Sequence, residues 1–378
     1  MIDLHGKTLV FGDLHLGIKS DSLSRLLVDV NFVNYLVDYI KSNKIENCVF
    51  LGDWFNSREY INTITLSVGY EIVSILAKSV KNLVFILGNH DLESNVYHDV
   101  SSVGSYASIP NIHVISKPTE GIINNSSILF VPWGYDKYEI GKRFKYIMGH
   151  MNVPSRIIRY NKVSVDSIEE ESVDERIMND VRKFSKLLDA GGVCFSGHIH
   201  NRTENTYKGN RIIFIGSPIE LTYGETNTTH GFYVINVDNR IDFVEVVEPS
   251  IPKHVFLRLS QCFDENGNLK PESEFAYLRG NIVKKIIDKD LTNADSMKLN
   301  DLLNSQDIFE YVQSEYGEMN IMTEISGQAS ETGESITLEK YFDIVADSID
   351  KSMFEESNIT KDDLKAKFIE YVDQINLM

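Results

Sequence analysis

Five times within the first 200 residues an apolar run breaks at glycine and delivers an acid, an amide or an imidazole. The five are Gly12-Asp13-Leu14-His15, Gly52-Asp53-Trp54-Phe55, Gly88-Asn89-His90-Asp91, Gly149-His150 and Gly197-His198-Ile199-His200. Asp13, His15, Asp53, Asn89, His150, His198 and His200 together offer seven oxygen or nitrogen donors, enough for two divalent ions that share one carboxylate. Asp13 and His15 flank a single residue and can address the same ion, while Asp53, one strand on, can bridge. Two ions about 3.5–4 Å apart are the usual device for attacking a phosphate ester: one generates hydroxide and both neutralise charge on the transferred phosphoryl oxygens. Imidazole, carboxylate and amide without thiolate favour manganese, with magnesium, iron or zinc as lesser options. His90 needs no metal role. It can protonate the leaving oxygen or stabilise developing charge, with Asp91 orienting its ring. A lone histidine at a strand end is ordinarily a satisfied polar residue, and His5, His98, His113, His230 and His254, which lack the glycine context, read that way.

Such turns need strands that end together. Strands are expected at 7–12 and 47–51, with a third ending at Leu87, separated by helices over Ser22–Lys44 and about Thr63–Val80. In the first helix Leu23, Leu26, Leu27, Val30, Val33, Leu36, Val37 and Ile40 recur at three- and four-residue spacing, the mark of one apolar face. This βαβαβ order implies a largely parallel, buried sheet, whose loops at the strand ends are where open α/β sheets carry their chemistry. A helix near Val100–Ser108, strands near 112–115, 127–131 and 145–149, and a stretch that turns helical in the second half of Pro154–Asp189 follow. Strands over Glu204–Tyr207, Arg211–Ile215, Gly231–Val237 and Ile241–Val247 then make the second half strand-rich, so two sheets packed face to face between helices are expected.

The chain has 378 residues with 42% hydrophobic content, which suits a globular protein with appendages. No apolar run reaches the roughly 18 residues that a membrane helix needs, and Met1-Ile2-Asp3-Leu4-His5 does not open like an export signal. A membrane partner is not expected. Cys48, Cys194 and Cys262 are odd in number and widely spaced, so they read as reduced residues of an intracellular protein rather than zinc ligands. The net charge of −18 is concentrated at the end: residues 301–378 hold 5 Lys+Arg against 18 Asp+Glu. A nucleic-acid partner therefore stays open, because phosphate responds to local patches and to bound cations, not to the total. Lys19, Arg58, Arg156, Arg159, Lys162 and Arg202 flank the glycine turns as candidate phosphate contacts, and no base-reading motif is present.

The organisation expected is a domain over 1–250, a small α+β domain over 251–316, a Gly/Ser/Thr/Glu-rich acidic linker over 317–335, and two amphipathic helices over 336–378. The last helix starts at Thr360 with Asp363 three residues on, a capping-box-like signal. Helices beyond a flexible linker need something to cover their apolar faces.

The series Gly-Asp-x-His, Gly-Asp, Gly-Asn-His-Asp, Gly-His and Gly-His-x-His resembles the calcineurin-like metallophosphoesterases over roughly residues 7–220. His15-Leu16-Gly17 and Gly52-Asp53-Trp54-Phe55-Asn56-Ser57-Arg58, with the order of the appendages, resemble SbcD-type DNA repair nucleases, nearest to the recombination nuclease subunits of T-even-like phages. The resemblance implies a two-sheet α/β sandwich flanked by helices, with an α+β capping domain and a helical tail. It implies one manganese on Asp13, His15, Asp53 and His200, a second on Asp53, Asn89, His150 and His198, and His90 as the catalytic histidine. It implies 3′→5′ exonuclease activity on double-stranded DNA ends and endonuclease activity on single strands. The C-terminal helices would dock on an SbcC-like coiled-coil ATPase, the protein would form a homodimer, and it would work in the cytoplasm, the host's if phage-encoded. Some relatives carry a histidine where Asn56 stands here, which removes any auxiliary proton transfer from that position. Another two-metal phosphoesterase, such as a nucleotide phosphodiesterase or protein phosphatase, is the alternative. Against a phosphatase, Asn56-Ser57-Arg58 replaces Asp-Arg-Gly and the third motif ends in Asp91, not Glu. A non-catalytic scaffold would not need all seven donors and His90.

Overall fold

The computed structural model describes residues 2–93, 100–135, 142–151 and 185–313. The chain divides into two compact units, Met1–Val255 with Gly280–Ile282, and Phe256–Arg279 with Val283–Met378. The expected helix within Pro154–Asp189, apart from its last residues, the linker, the C-terminal helices and Arg156, Arg159 and Lys162 lie outside the described residues.

In chain order the first unit runs β1 (Ile2–Leu4), β2 (Thr8–Phe11), α1 (Leu23–Asn43), β3 (Asn47–Phe50), α2 (Thr63–Ser79), β4 (Asn82–Ile86) and β5 (Ile112–Ile115). It continues through β6 (Thr119–Ile123), β7 (Ser126–Val131), β8 (Phe144–Gly149), β9 (Leu188–Ser196), β10 (Thr203–Tyr207), β11 (Asn210–Phe214), β12 (Gly231–Ile235) and β13 (Ile241–Glu245). Two mixed sheets result, a six-stranded one in the order β13-β12-β2-β3-β4-β5 and a seven-stranded one in the order β1-β6-β7-β8-β9-β11-β10. Strands β2 to β5 are parallel, as their unbroken apolar runs require, whereas β12 and β13 add antiparallel partners.

Side-chain alternation splits β2, β3 and β4 between two environments. Val10, Val49 and Val84 face a buried core shared with Phe130, Met148, Phe195 and Ile213 of the other sheet. Phe11, Phe50 and Phe85 hold the same register on the opposite face and pack edge-to-face and tilted at centroid distances of 5.0 and 4.9 Å. Each such ring contributes about 1.5–3 kcal/mol by burial, so register is strongly specified and the three strands must end level. Their glycine turns thereby come to one edge.

The outer helices depart from the expected pattern in one respect. Leu23 and Leu27 of α1 are exposed, at 65% and 51%, while Arg25 and Asp29 are buried with Leu26, Phe32, Val33 and Leu36. The inward place is held by an ion pair, Arg25 Nη2 to Asp29 Oδ1 at 3.1 Å, with Arg25 Nη1 donating to the Glu220 carbonyl at 2.8 Å. Helix α2 is capped by Asn62, whose Oδ1 accepts from the Ile64 amide at 2.8 Å. The expected helix at Val100–Ser108 is only a 3₁₀ turn, Gly104–Ser108, since glycine and serine give a helix little support there. The hairpin of β6 and β7 turns at Asn124 and Asn125, both with positive φ (46° and 64°).

A three-stranded sheet in the order β14 (His254–Arg258), β15 (Ile282–Ile286), β16 (Glu310–Gln313) and one helix, α3 (Asn293–Ser305), follow; apart from His254, Val255 and Ile282 their residues belong to the second unit. Thr292 caps α3 by accepting from the Asp295 amide at 3.2 Å, and the helix buries Leu299 and Leu303. No helix among the described residues is long and apolar enough to cross a membrane.

Candidate metal centre

The turns after β2 and β3 are laid on one another by backbone hydrogen bonds. Asp13 N–H donates to the Gly52 carbonyl at 2.9 Å, and Leu14 and His15 N–H donate to the Asp53 carbonyl at 3.0 and 3.1 Å. Asp13 (φ 51°), His15 (51°), Asp53 (62°) and His198 (80°) all adopt the left-handed region that residues with a Cβ rarely visit. Four such positions in one place mark a site whose surroundings enforce unfavourable backbone to aim side chains. Gly52, with φ 99°, is obligatory: a Cβ there would meet His150 Nδ1 at 2.6 Å and Gly88 Cα at 2.7 Å.

All seven expected donors converge. Asp53 Oδ2 lies 3.5 Å from His15 Nε2 and 3.3 Å from His150 Nε2. His15 Nε2 lies 3.1 Å from His200 Nε2, and Asp13, His15 and His200 each bring a donor atom within 4.8 Å of the others. On the other side Asn89 Oδ1 sits 2.9 Å from both His150 Nε2 and His198 Nδ1. Asp53, His150 and His198 form a second group within the same limit. Asp13 Oδ1 accepts from the His198 amide at 2.8 Å, which ties the first turn to the fifth.

The electrostatics are those of a cation site. Burial pushes Asp13 up to about 7 and pulls His15 down to about 3 and His198 down to about 4. Burial also acts to lower His150, but the carboxylates of Asp53 and Asp13 outweigh it and raise it to about 9. Asp53, which burial would raise, is held well below the carboxylate range by His150 and His15. Among the described residues the buried Asp13 Oδ2 has no hydrogen-bond partner. A buried carboxylate lone pair of this kind is costly unless something positive meets it. Carboxylate, imidazole and amide donors with no thiol fit hard-to-borderline divalent ions, so the residues present suit the expected pair.

His90 is only partly buried and its ring stands edge-on to His15, with centroids 4.8 Å apart. Its Nδ1 lies 2.5 Å from the Asn56 carbonyl, which makes Nδ1 the donor, and a ring nitrogen of His90 groups with donor atoms of His15 and Asp53 within 4.8 Å. Asp91 does not orient that ring, contrary to the sequence reading. Its Oδ2 accepts from the backbone N–H of Asp53 (2.8 Å) and Gly88 (2.9 Å), and its Oδ1 from that of Trp54 (2.8 Å). Three backbone donors converge on it from two turns, so Asp91 is a positioning residue that clamps the second turn to the third.

Three neighbours carry no motif signal. Trp133 packs its indole 4.8 Å from the His198 ring and 5.8 Å from that of His150. Glu225 meets His200 Nδ1 at 3.2 Å. His230, read as an ordinary residue, is buried 3.2 Å from Ser217 Oγ, which itself donates to Glu225. Of the candidate phosphate contacts, Arg202 is already engaged, donating to Tyr233 Oη at 2.8 Å and lying 4.0 Å from the Phe243 ring centre. Lys19 Nζ rests 3.3 Å from His254 Nε2. The three cysteines are free and buried.

Known proteins point the same way. The family model for calcineurin-like phosphoesterases matches residues 6–202. Exonuclease subunit 1 of Enterobacteria phage T4 is 26% identical over 299 residues, covering 77% of this chain and 80% of that protein. A crystal structure of a Vps29 single mutant from Entamoeba histolytica aligns over 64% of this chain and 99% of its own, at 12% identity and a TM-score of 0.31, a likeness too slight to bear on the site.

Proposed function

This chain belongs to the calcineurin-like phosphoesterase family, and on that footing we propose that it is a manganese-dependent DNA nuclease, the nuclease subunit of an SbcCD-type repair or recombination complex. Its reaction is hydrolysis of phosphodiesters, as a 3′→5′ exonuclease on double-stranded ends and an endonuclease on single strands. The observation that carries the reading is the place of Asp53: one carboxylate oxygen lies within 3.5 Å of an imidazole from each donor group, where it would be shared between two ions.

Asp13, His15, Asp53 and His200 would hold one ion, and Asp53, Asn89, His150 and His198 the other. When bound there, two divalent ions would activate water at neutral pH and offset charge on the phosphoryl oxygens. His90 does the remaining proton work. With its Nδ1 proton on the Asn56 carbonyl, a protonated ring offers its Nε2 proton to the leaving oxygen. Trp133 shields the His150 and His198 rings on one side, which helps exclude water.

The likeness to a protein named as an exonuclease subunit supports a nucleic-acid substrate and a partner protein. Residues 251–316 would be the DNA-capping domain, and the helices of 336–378 would dock the coiled-coil ATPase across the 317–335 linker. A homodimer is supported by Leu23 and Leu27 on α1 and by Ile64, Leu66 and Tyr70 on α2, all at least 45% exposed. Free cysteines fit the cytoplasm. The test of reaction class is a chromogenic phosphodiester assayed beside its monoester with Mn²⁺. Chelator-sensitive turnover favouring the diester is expected, and preference for the monoester would favour a phosphatase.

A further inference from the structure

Behind His200 lies a carboxylate that no motif marks. Glu225, 4% exposed, stands in the loop between β11 and β12. Its Oε1 lies 3.2 Å from His200 Nδ1 and accepts from Thr222 Oγ1 at 3.3 Å. Its Oε2 accepts from Ser217 Oγ and from the Leu221 amide, each at 2.9 Å. His230 backs this arrangement, with Nδ1 3.0 Å from the Ser217 carbonyl and Nε2 2.7 Å from Thr228 Oγ1. Both oxygens of Glu225 are therefore fixed in place.

The opposite nitrogen of His200, Nε2, is the one that meets His15 Nε2 at 3.1 Å. An imidazole offers a lone pair at Nε2 only while its proton sits on Nδ1, and a buried Nδ1–H needs an acceptor. His150 solves the same problem with a neutral acceptor, the Leu51 carbonyl at 2.7 Å from its Nδ1. Among the described donors His200 alone has a carboxylate behind the ring.

We infer that Glu225 is a positioning residue for the ion held by Asp13, His15 and His200: it holds His200 in the Nδ1-protonated tautomer, fixes the ring plane and increases the donor strength of Nε2. The inference rests on the two-ion reading above and adds a residue to it. The two groups of donors are thereby built differently, with a carboxylate behind the His200 ring and a backbone carbonyl behind that of His150.

The test is calorimetric titration of the chelated, full-length protein with Mn²⁺, with bound ions counted by electron paramagnetic resonance. The wild type takes two ions. Glu225→Gln is expected to weaken one binding step by about 10–100-fold and leave the other unchanged. Ser217→Ala, which removes one bond to Oε2 but leaves Oε1 on His200, is expected to hold both steps within about threefold, as befits loss of an outlying bond. Should the amide variant melt below the titration temperature, Glu225→Asp, which withdraws the carboxylate by one methylene, carries the same expectation. Unchanged binding of both ions in the variant that folds overturns the inference alone. So does an equal loss in Ser217→Ala, which would make loop packing the cause. A wild type that binds no Mn²⁺ overturns the two-ion reading and the inference with it.

Discussion

The Asp91 carboxylate lies 2.8 Å from the backbone nitrogen of Asp53. The residue next to His90 thus serves Asp53 and not the histidine, and it does so by holding main chain. Because Asp53 has a left-handed backbone (φ 62°), the clamp opposes the tendency of that turn to relax.

Removing the clamp should be costly. Asp91→Ala leaves three buried N–H donors without an acceptor, and a loss of about 3–4 kcal/mol is expected from denaturant unfolding of the chelated protein. Asp91→Asn keeps one acceptor oxygen and should lose less. A variant as stable as wild type would show that the turns hold without Asp91.

His90→Asn should behave in the opposite way. Its ring hydrogen-bonds the Asn56 carbonyl and packs edge-on to the buried His15, so at most a small drop in melting temperature and an unchanged Mn²⁺ stoichiometry are expected while kcat on a chromogenic phosphodiester falls by about 10²–10⁴. A loss under threefold would remove His90 from the proton transfer.

Metal affinity should rise with pH. Without ions, Asp13 (about 7) and His150 (about 9) both carry protons at pH 6, and each must release its proton to become a ligand. Binding that releases protons strengthens as pH rises, by up to about two decades per unit below pH 7 and about one between 7 and 9. Titrations in buffers of different ionisation enthalpy count the protons. A flat affinity from pH 6 to 9 would contradict the charge states described.

The exposed stripe on α1 offers a test of assembly. Leu23→Asp with Leu27→Asp changes side chains that are 65% and 51% exposed, so the fold should keep its stability within about 0.5 kcal/mol. Sedimentation should shift from dimer to monomer. A wild type that sediments as a monomer would leave the stripe without this role.

Much of the fold and site was legible because β2, β3 and β4 are buried on both faces. Their apolar runs are continuous, and Gly12, Gly52 and Gly88 mark where each one stops. What the pattern hid was direction. The periodicity of α1 placed Leu23 and Leu27 with Leu26 on one face, but spacing cannot say which edge of a wide stripe turns inward, and the Arg25–Asp29 pair took that place. Adjacency suggested that Asp91 serves His90, whereas three amides from two turns decide where its carboxylate points. Glu225 was invisible for a different reason. It lies 25 residues beyond His200, in a loop with no periodicity, and only the folded chain brings the two to 3.2 Å.

The proposed reaction at this site is cleavage of DNA. The measurement is release of nucleotides from end-labelled linear duplex DNA with Mn²⁺, run for the wild type and His90→Asn with a chromogenic phosphodiester in the same wells. Release by the wild type that is lost with chelator and in the variant is the predicted result. Turnover of the chromogenic diester with intact DNA, both alone and after addition of an SbcC-like ATPase partner, would contradict the nuclease reading and leave a phosphodiesterase of another substrate.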